Sequence, residues 1–197
     1  MRLRLFPVVA AGVVVLALTG CSPQGAGPTA TPSSASASPS EVETTASPTA
    51  SPTPTVSQEE IHVAEATERL KAYIATQSTI GNRGGAGWDA IQEFLGTSEL
   101  QADYQELWAS VEGNGGYTTG AIAVAEVSRL SYDPNYSGGP ATTLRVCLDH
   151  TLVTQFDNAG TAFPQPQNLR PIGLYTWQLG TDGTWRLVQE TPTGEAC

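Results

Sequence analysis

The stretch "GNGGYTTGAIAVAEVSRLSY", residues 113–132, marks the point at which the periodicity of the chain changes. Before it, apolar residues recur at spacings of three and four, as on one face of an α-helix. After Gly116, apolar and polar residues alternate and β-forming residues become frequent, which is typical of strands. The glycines at the junction are suited to ending a helix and turning the chain. The sequence therefore predicts helices before this stretch and strands within and after it.

Three helices are predicted on the N-terminal side of this junction. Ser57 and Glu60 form a capping-box pattern, which predicts the start of a helix of about 20 residues. A short second helix follows the glycine-rich turn at 81–87, and a third follows Thr97. The apolar stripes are Val63, Ala66, Leu70 and Ile74 on the first helix, Trp88, Ile91, Phe94 and Leu95 on the second, and Leu100, Tyr104, Leu107, Trp108 and Val111 on the third.

Four strands are predicted on the C-terminal side, at 117–132, 141–156, 169–179 and 184–191. The segment "DPNYSGGP" joins the first two strands, and "GTDG" forms a tight hairpin between the last two. Helices followed by an antiparallel meander indicate an α+β fold, with the N-terminal helices packed on a curved four-stranded antiparallel sheet. We assign this globular domain to residues 58–197.

The N-terminus has the pattern of a secretion signal, with a basic start, a short apolar stretch and small residues at its end. The apolar stretch is too short for a transmembrane helix. The tetrapeptide Leu18-Thr19-Gly20-Cys21 resembles the lipobox of bacterial lipoproteins. That resemblance implies a signal peptide at 1–20, acylation of Cys21 with fatty acids such as palmitate, and anchoring on the outer face of the cytoplasmic membrane. The alternative is ordinary secretion with a cysteine at 21 by chance.

Residues 21–57 are interpreted as the lipidated cysteine followed by a disordered tether. Of residues 22–57, 29 of 36 are Ser, Thr, Pro or Ala, and none is Lys, Arg or aromatic. Such a composition cannot bury enough apolar surface to offset the entropy of ordering. The tether either holds the domain away from the membrane or is a spacer without a length requirement.

The charge balance restricts the partners. The chain has 19 acidic and 9 basic residues, a formal net charge of −10. An acidic surface repels phosphate backbones, so we expect no nucleic acid partner. The expected partners are the membrane, through Cys21, and an envelope protein or a small apolar ligand.

The order of three helices and four strands over residues 58–197 resembles the cone fold of the nuclear transport factor 2-like superfamily. More narrowly, the domain is similar to secreted actinobacterial lipoprotein domains that carry a Cys-x-Asp, here "CLD" at 147–149, a Gly-x-Trp, here "GTW" at 183–185, and a terminal cysteine, here Cys197. The resemblance implies the cone fold. Some cone-fold proteins, such as ketosteroid isomerases and scytalone dehydratases, use a buried Asp or His as acid and base, but no motif here fixes a correspondence with those residues.

The segment "RVCLDHT", residues 145–151, brings together the residue types of a nucleophile, an acid and a base. Cys147 and Cys197 form an even pair in an oxidising compartment, which favours a disulfide. The alternative is a Cys147 thiol with His150 as its base, although residues three apart on a strand point to opposite faces. Asp149 is expected in a structural bond with Arg145 or another arginine, or else as a weak candidate for a catalytic base.

Four aromatic residues, Trp88, Trp108, Tyr175 and Trp177, are candidates for the lining of a pocket between helices and sheet. The sequence contains no metal-ligand spacing or nucleotide-binding motif, so we expect no metal and no cofactor. Both histidines, His62 and His150, are expected to be exposed or at a rim.

The resulting hypothesis is a lipid-anchored, extracytoplasmic binding or interaction domain at the cell envelope, without catalytic activity. The alternatives are an isomerase or dehydratase with Asp149 in its pocket, and a purely structural envelope protein. Carriage on a prophage fits this architecture, but no residue argues for it.

Overall fold

In the computed structural model, which describes residues 56–197, helix α1 runs from Gln58 to Asn82. The Ser57 side chain accepts a hydrogen bond from the Glu60 amide, and the Glu60 carboxylate accepts one from the Ser57 amide at 2.8 Å. These bonds satisfy backbone N–H groups that a helix start otherwise leaves unpaired. The same bonds hold the pKa of the Glu60 carboxyl below its usual value. The predicted capping box is confirmed.

A 3-10 helix, Trp88–Phe94, and a second α-helix, α2, Ser98–Asn114, complete the helical layer. The Thr97 side chain accepts a hydrogen bond from the Leu100 amide at the start of α2, and Gly115, with a φ of 66°, ends the helix. Eight residues of α1 are buried, whereas none of α2 is. Helix α2 is therefore seated less deeply against the rest of the domain.

Six strands follow: β1 Tyr117–Thr119, β2 Ala123–Asp133, β3 Ala141–Asp149, β4 Thr154–Phe156, β5 Pro171–Leu179 and β6 Trp185–Ala196. Strands β2, β3, β5 and β6 form an antiparallel sheet in that order. This arrangement confirms the predicted α+β class with a four-stranded antiparallel meander.

Strands β1 and β4 form a second, two-stranded antiparallel sheet. The sequence predicts that β1 continues into β2 and that β3 continues into β4, and both predictions are wrong. At Gly120, φ is 84°, and a Cβ would collide with the Leu152 carbonyl. Opposite it, the Asp149 carboxylate accepts hydrogen bonds from the Thr151 amide at 2.9 Å and the Thr151 hydroxyl at 2.6 Å, which turns the chain. The predicted first and second strands are therefore both interrupted, at 120–122 and at 150–153. Strands β1 and β4 pair with each other separately from the four-stranded sheet.

The hydrophobic core lies between α1, the 3-10 helix and one face of the four-stranded sheet. Trp177 at its centre is fully buried, and its ring meets that of Tyr73 edge-on at 5.8 Å. The other core members are Ala66, Leu70, Ile74, Ile80, Ile91, Phe94, Leu95, Leu144, Val146, Leu148, Tyr175, Trp185 and Leu187.

Cys147 and Cys197 are paired in a disulfide, with their Cα atoms 6.0 Å apart, as the sequence predicted. The bond connects β3 to the end of the chain beyond β6, and Cys147 is aligned with Ile172 of the intervening strand β5. The Cys197 amide also donates to the Arg170 carbonyl at 3.0 Å. The disulfide therefore fixes the segment that follows β6 to the sheet.

The predicted signal peptide at 1–20, the lipidated Cys21 and nearly all of the tether lie outside the described residues. Within residues 56–197, no helix has the length and hydropathy needed to cross a bilayer.

Candidate ligand-binding site

A cavity of about 640 Å³ lies where the two sheets separate. Its walls come from the C-terminal end of α1, the second half of α2, residues 116–122 around β1, and residues 150–163 around β4. The volume is within the range of small-molecule sites, roughly 300–1,000 Å³. The break in the sheet thus creates a space large enough for an organic ligand.

The walls of the cavity are mostly apolar and aromatic. Leu107 and Trp108 contribute from α2, and Tyr117 and Phe156 stack on each other with ring centroids 5.0 Å apart. Leu107, Tyr117 and Phe163 remain 51%, 36% and 52% exposed to solvent. Covering such surface is favourable by about 25 cal/mol per Å². An apolar ligand in the cavity would therefore gain binding free energy by covering apolar side chains that the protein itself leaves exposed to solvent.

The electrostatics of the cavity are negative. Among the described residues that line it, Asp157 is the only one with a charged side chain. The C-terminal ends of α1 and α2 both reach the cavity, and neither helix has a basic residue in its last turn. Helix C-termini carry a partial negative charge of about half an electron. Two helix ends and one carboxylate therefore all make the electrostatic potential in the cavity more negative.

His150 also lines the cavity and lies in the break between β3 and β4. Its backbone amide donates to the Leu169 carbonyl at 2.8 Å, which fixes its position. Burial lowers the pKa of the imidazole, and the nearby Asp149 carboxylate only partly opposes that effect. The ring is therefore neutral at pH 7, with one donor and one acceptor nitrogen. The sequence predicted a rim histidine; the structure places it half-buried at the cavity wall.

Asp149, the candidate base, does not line this cavity. Its hydrogen bonds from Thr151 lower the pKa of its carboxyl, and the charge of Arg170, whose Nε lies 3.8 Å from Oδ2, acts in the same direction. Arg145 instead approaches Glu195, at 3.3 Å. Asp149 thus stays ionised and maintains the turn that opens the sheet. The Cys147 sulfur is in the disulfide and is not a free thiol.

The four aromatic residues expected at a pocket lie in two different places. Trp108 lines the cavity, whereas Tyr175 and Trp177 are buried in the core. Trp88 packs on the edge of the same core. The side chains of Tyr175 and Trp177 lie on the face of the sheet that packs against the helices. Because α1 fills the space in front of that face, neither side chain faces a cavity.

A polar cluster, which the sequence did not indicate, joins α1, α2 and β6. The hydroxyls of Tyr73 and Tyr104 donate to the same oxygen of Glu190, at 2.9 and 2.6 Å. The Gln77 amide donates to the Tyr104 hydroxyl at 3.0 Å, and Gln77 also lines the cavity. Burial, and then the charge of Glu190, raise the pKa of both tyrosines far above the usual value, so their hydroxyls stay protonated as donors. This cluster attaches α2 to the body of the domain.

His62, expected to be exposed or at a rim, is instead buried at 8% exposure. Its imidazole exchanges hydrogen bonds with Gln58 and with the Tyr132 hydroxyl, both at 2.8 Å. The histidine therefore connects the start of α1 to β2. Across the part of the chain that the structure describes, no three metal-ligating side chains come together to hold an ion.

Comparison with known proteins provides little beyond this geometry. No protein-family model matches the chain, and no curated protein is significantly similar to it. Among solved structures, the intermembrane space region of the chloroplast protein ARC6 is similar, with a TM-score of 0.46 and 10% sequence identity. The similarity covers 66% of this chain and 94% of that one. We draw no functional argument from similarity at this level.

Proposed function

We propose that this protein is a lipid-anchored, extracytoplasmic binding domain that holds a small apolar ligand at the cell envelope. The observation that carries the proposal is the 640 Å³ cavity with its exposed aromatic and aliphatic walls. Anchoring follows from the lipobox-like sequence at Cys21, and the disulfide between Cys147 and Cys197 is in keeping with an oxidising compartment. The order of helices and strands also supports a cone fold.

Binding is better supported than catalysis. An isomerase or dehydratase needs an acid–base group within reach of its substrate, with a pKa adjusted to the task. Asp149 lies outside the cavity, and its pKa is lowered. Asp157, which does line the cavity, accepts hydrogen bonds from the amides of Ala159 and Thr161 at 2.9 and 2.7 Å. Each carboxylate thus accepts hydrogen bonds that hold a turn of the chain.

Binding can be measured with N-phenyl-1-naphthylamine, a neutral dye whose fluorescence increases in apolar surroundings. The segment 52–197 is suitable, since it forms a compact unit that contains the whole core and the disulfide. The dye should bind saturably. Ser110→Trp, which places an indole in the cavity from an exposed position on α2, should weaken binding about tenfold or more, which is about 1.4 kcal/mol.

The matched control is Ala109→Trp, which adds the same side chain to the same helix at an exposed position that does not line the cavity. It should leave the dye affinity unchanged. Absence of saturable binding, or equal binding by both variants, would contradict the proposal.

For anchoring, Cys21→Ala in the full chain should release the protein from the membrane fraction, and retention there would contradict the lipid anchor.

A further inference from the structure

We propose that the ligand of this cavity carries a positive charge, in its simplest form an ammonium group on an apolar body. The inference rests on the proposed binding function and adds the charge of the ligand. It follows from three features of the cavity wall, namely its fixed charges, its distance from basic side chains and its aromatic faces.

The fixed charges near the cavity are negative. Asp157 contributes a full negative charge, and its position is held by two backbone amides. The C-terminal ends of α1 and α2, whose last residues line the cavity, add partial negative charges. A cation in the cavity is attracted by all three, whereas an anion is repelled by all three.

Among the described residues, positively charged side chains lie outside the cavity wall. Within the described residues, no lysine or arginine lines the cavity. Arg83, which follows α1 directly, is exposed to solvent and is not part of the wall. Arg170 lies close to the Asp149 carboxylate outside the cavity. His150, the remaining basic group in the wall, is buried enough to be neutral at pH 7, with the Asp149 carboxylate next to it.

The aromatic side chains suit an organic cation in particular. Trp108, Tyr117, Phe156 and Phe163 all line the cavity, and the face of an aromatic ring attracts a cation. Removing a charge from water is costly, but the exposed side chains of Leu107 and Phe163 show that the cavity is open to solvent. An ammonium group can therefore keep part of its hydration while its apolar body covers the aromatic walls.

The test uses three ligands that share a ten-carbon tail and differ in the charge of the head: decyltrimethylammonium, 1-decanol and decanoate. Each is titrated, below its micelle concentration, against segment 52–197 loaded with N-phenyl-1-naphthylamine. The concentration of decyltrimethylammonium that displaces the dye should be lower than that of decanoate by about tenfold or more. The concentration of 1-decanol needed should lie between the two. Raising the salt concentration should reduce that difference.

Asp157→Asn isolates the contribution of the carboxylate. Asparagine keeps an oxygen that can accept from Ala159 and Thr161, so the turn is retained while the charge is lost. Decyltrimethylammonium should bind this variant about threefold to tenfold more weakly, with 1-decanol unchanged. The matched control is Asp133→Asn, because Asp133 also accepts from a turn amide, that of Asn135 at 2.9 Å, but lies outside the cavity.

Three outcomes would overturn the inference and can be told apart. If the dye binds but decanoate displaces it as well as decyltrimethylammonium does, the charge preference is wrong while the proposed function stands. If Asp157→Asn and Asp133→Asn weaken the cationic ligand equally, the cavity charge is not the cause of the preference. If the dye itself does not bind, the proposed function fails, and the inference fails with it.

Discussion

Helices α1 and α2 begin in the same way and have similar apolar stripes, but they are buried to very different extents. Each has a hydroxyl side chain that caps its first turn. Helix α1 presses its stripe on the four-stranded sheet and buries eight residues. Helix α2 buries none, and its stripe faces the cavity and the cluster around Glu190. The difference indicates a division of roles, in which α1 forms part of the buried core and α2 packs on its edge and forms a wall of the cavity.

The largest effect is expected from truncation on the α1 side. Trp177→Ala removes a fully buried indole that packs against Tyr73, and should lower the free energy of unfolding by about 3–5 kcal/mol. The matched change on the α2 side, Leu107→Ala, removes a half-exposed side chain and should change it by no more than about 0.5 kcal/mol. Urea unfolding followed by far-ultraviolet circular dichroism measures both. Equal losses would show that the two helices are packed alike.

A smaller effect is expected at the attachment of α2. Tyr104→Phe removes the hydrogen bond to the Glu190 carboxylate and should lower the free energy of unfolding by about 2 kcal/mol, the range for bonds to charged groups. It should also speed amide hydrogen exchange in α2 more than in α1. The control is Tyr136→Phe, in an exposed turn between β2 and β3, which should have little effect. If Tyr104→Phe changes neither stability nor exchange, the cluster does not hold α2 in place.

The local features of the fold could be predicted because they depend on neighbouring residues. Ser57 and Glu60 are three positions apart, so the start of α1 is visible in the sequence. The alternation in β3 and β5 likewise identifies their buried faces. The cysteine pairing followed from their number and from the expected compartment.

The break in the sheet could not be predicted, since it depends on a contact between distant residues. Gly120 allows the chain to pass close to the Leu152 carbonyl, and nothing near Gly120 in the sequence identifies that partner. Without the break, Tyr117 and Phe156 read as members of long strands rather than as cavity walls. The Glu190 cluster was missed for a similar reason. The alignment of β5 with β6 shifts at an irregularity next to Trp177, so simple alternation along β6 does not predict which face Glu190 occupies.

The most direct test of binding in the cavity is to locate the bound dye on the protein. Two-dimensional ¹⁵N–¹H spectra of segment 52–197 can be recorded during titration with N-phenyl-1-naphthylamine, whose aromatic rings shift nearby amide signals. We expect the largest shifts at residues 107–122 and 150–163, with the amides of α1 between residues 63 and 74 unchanged. Shifts concentrated around the exposed Leu130 and Tyr136 instead would contradict it, because those residues lie outside the cavity.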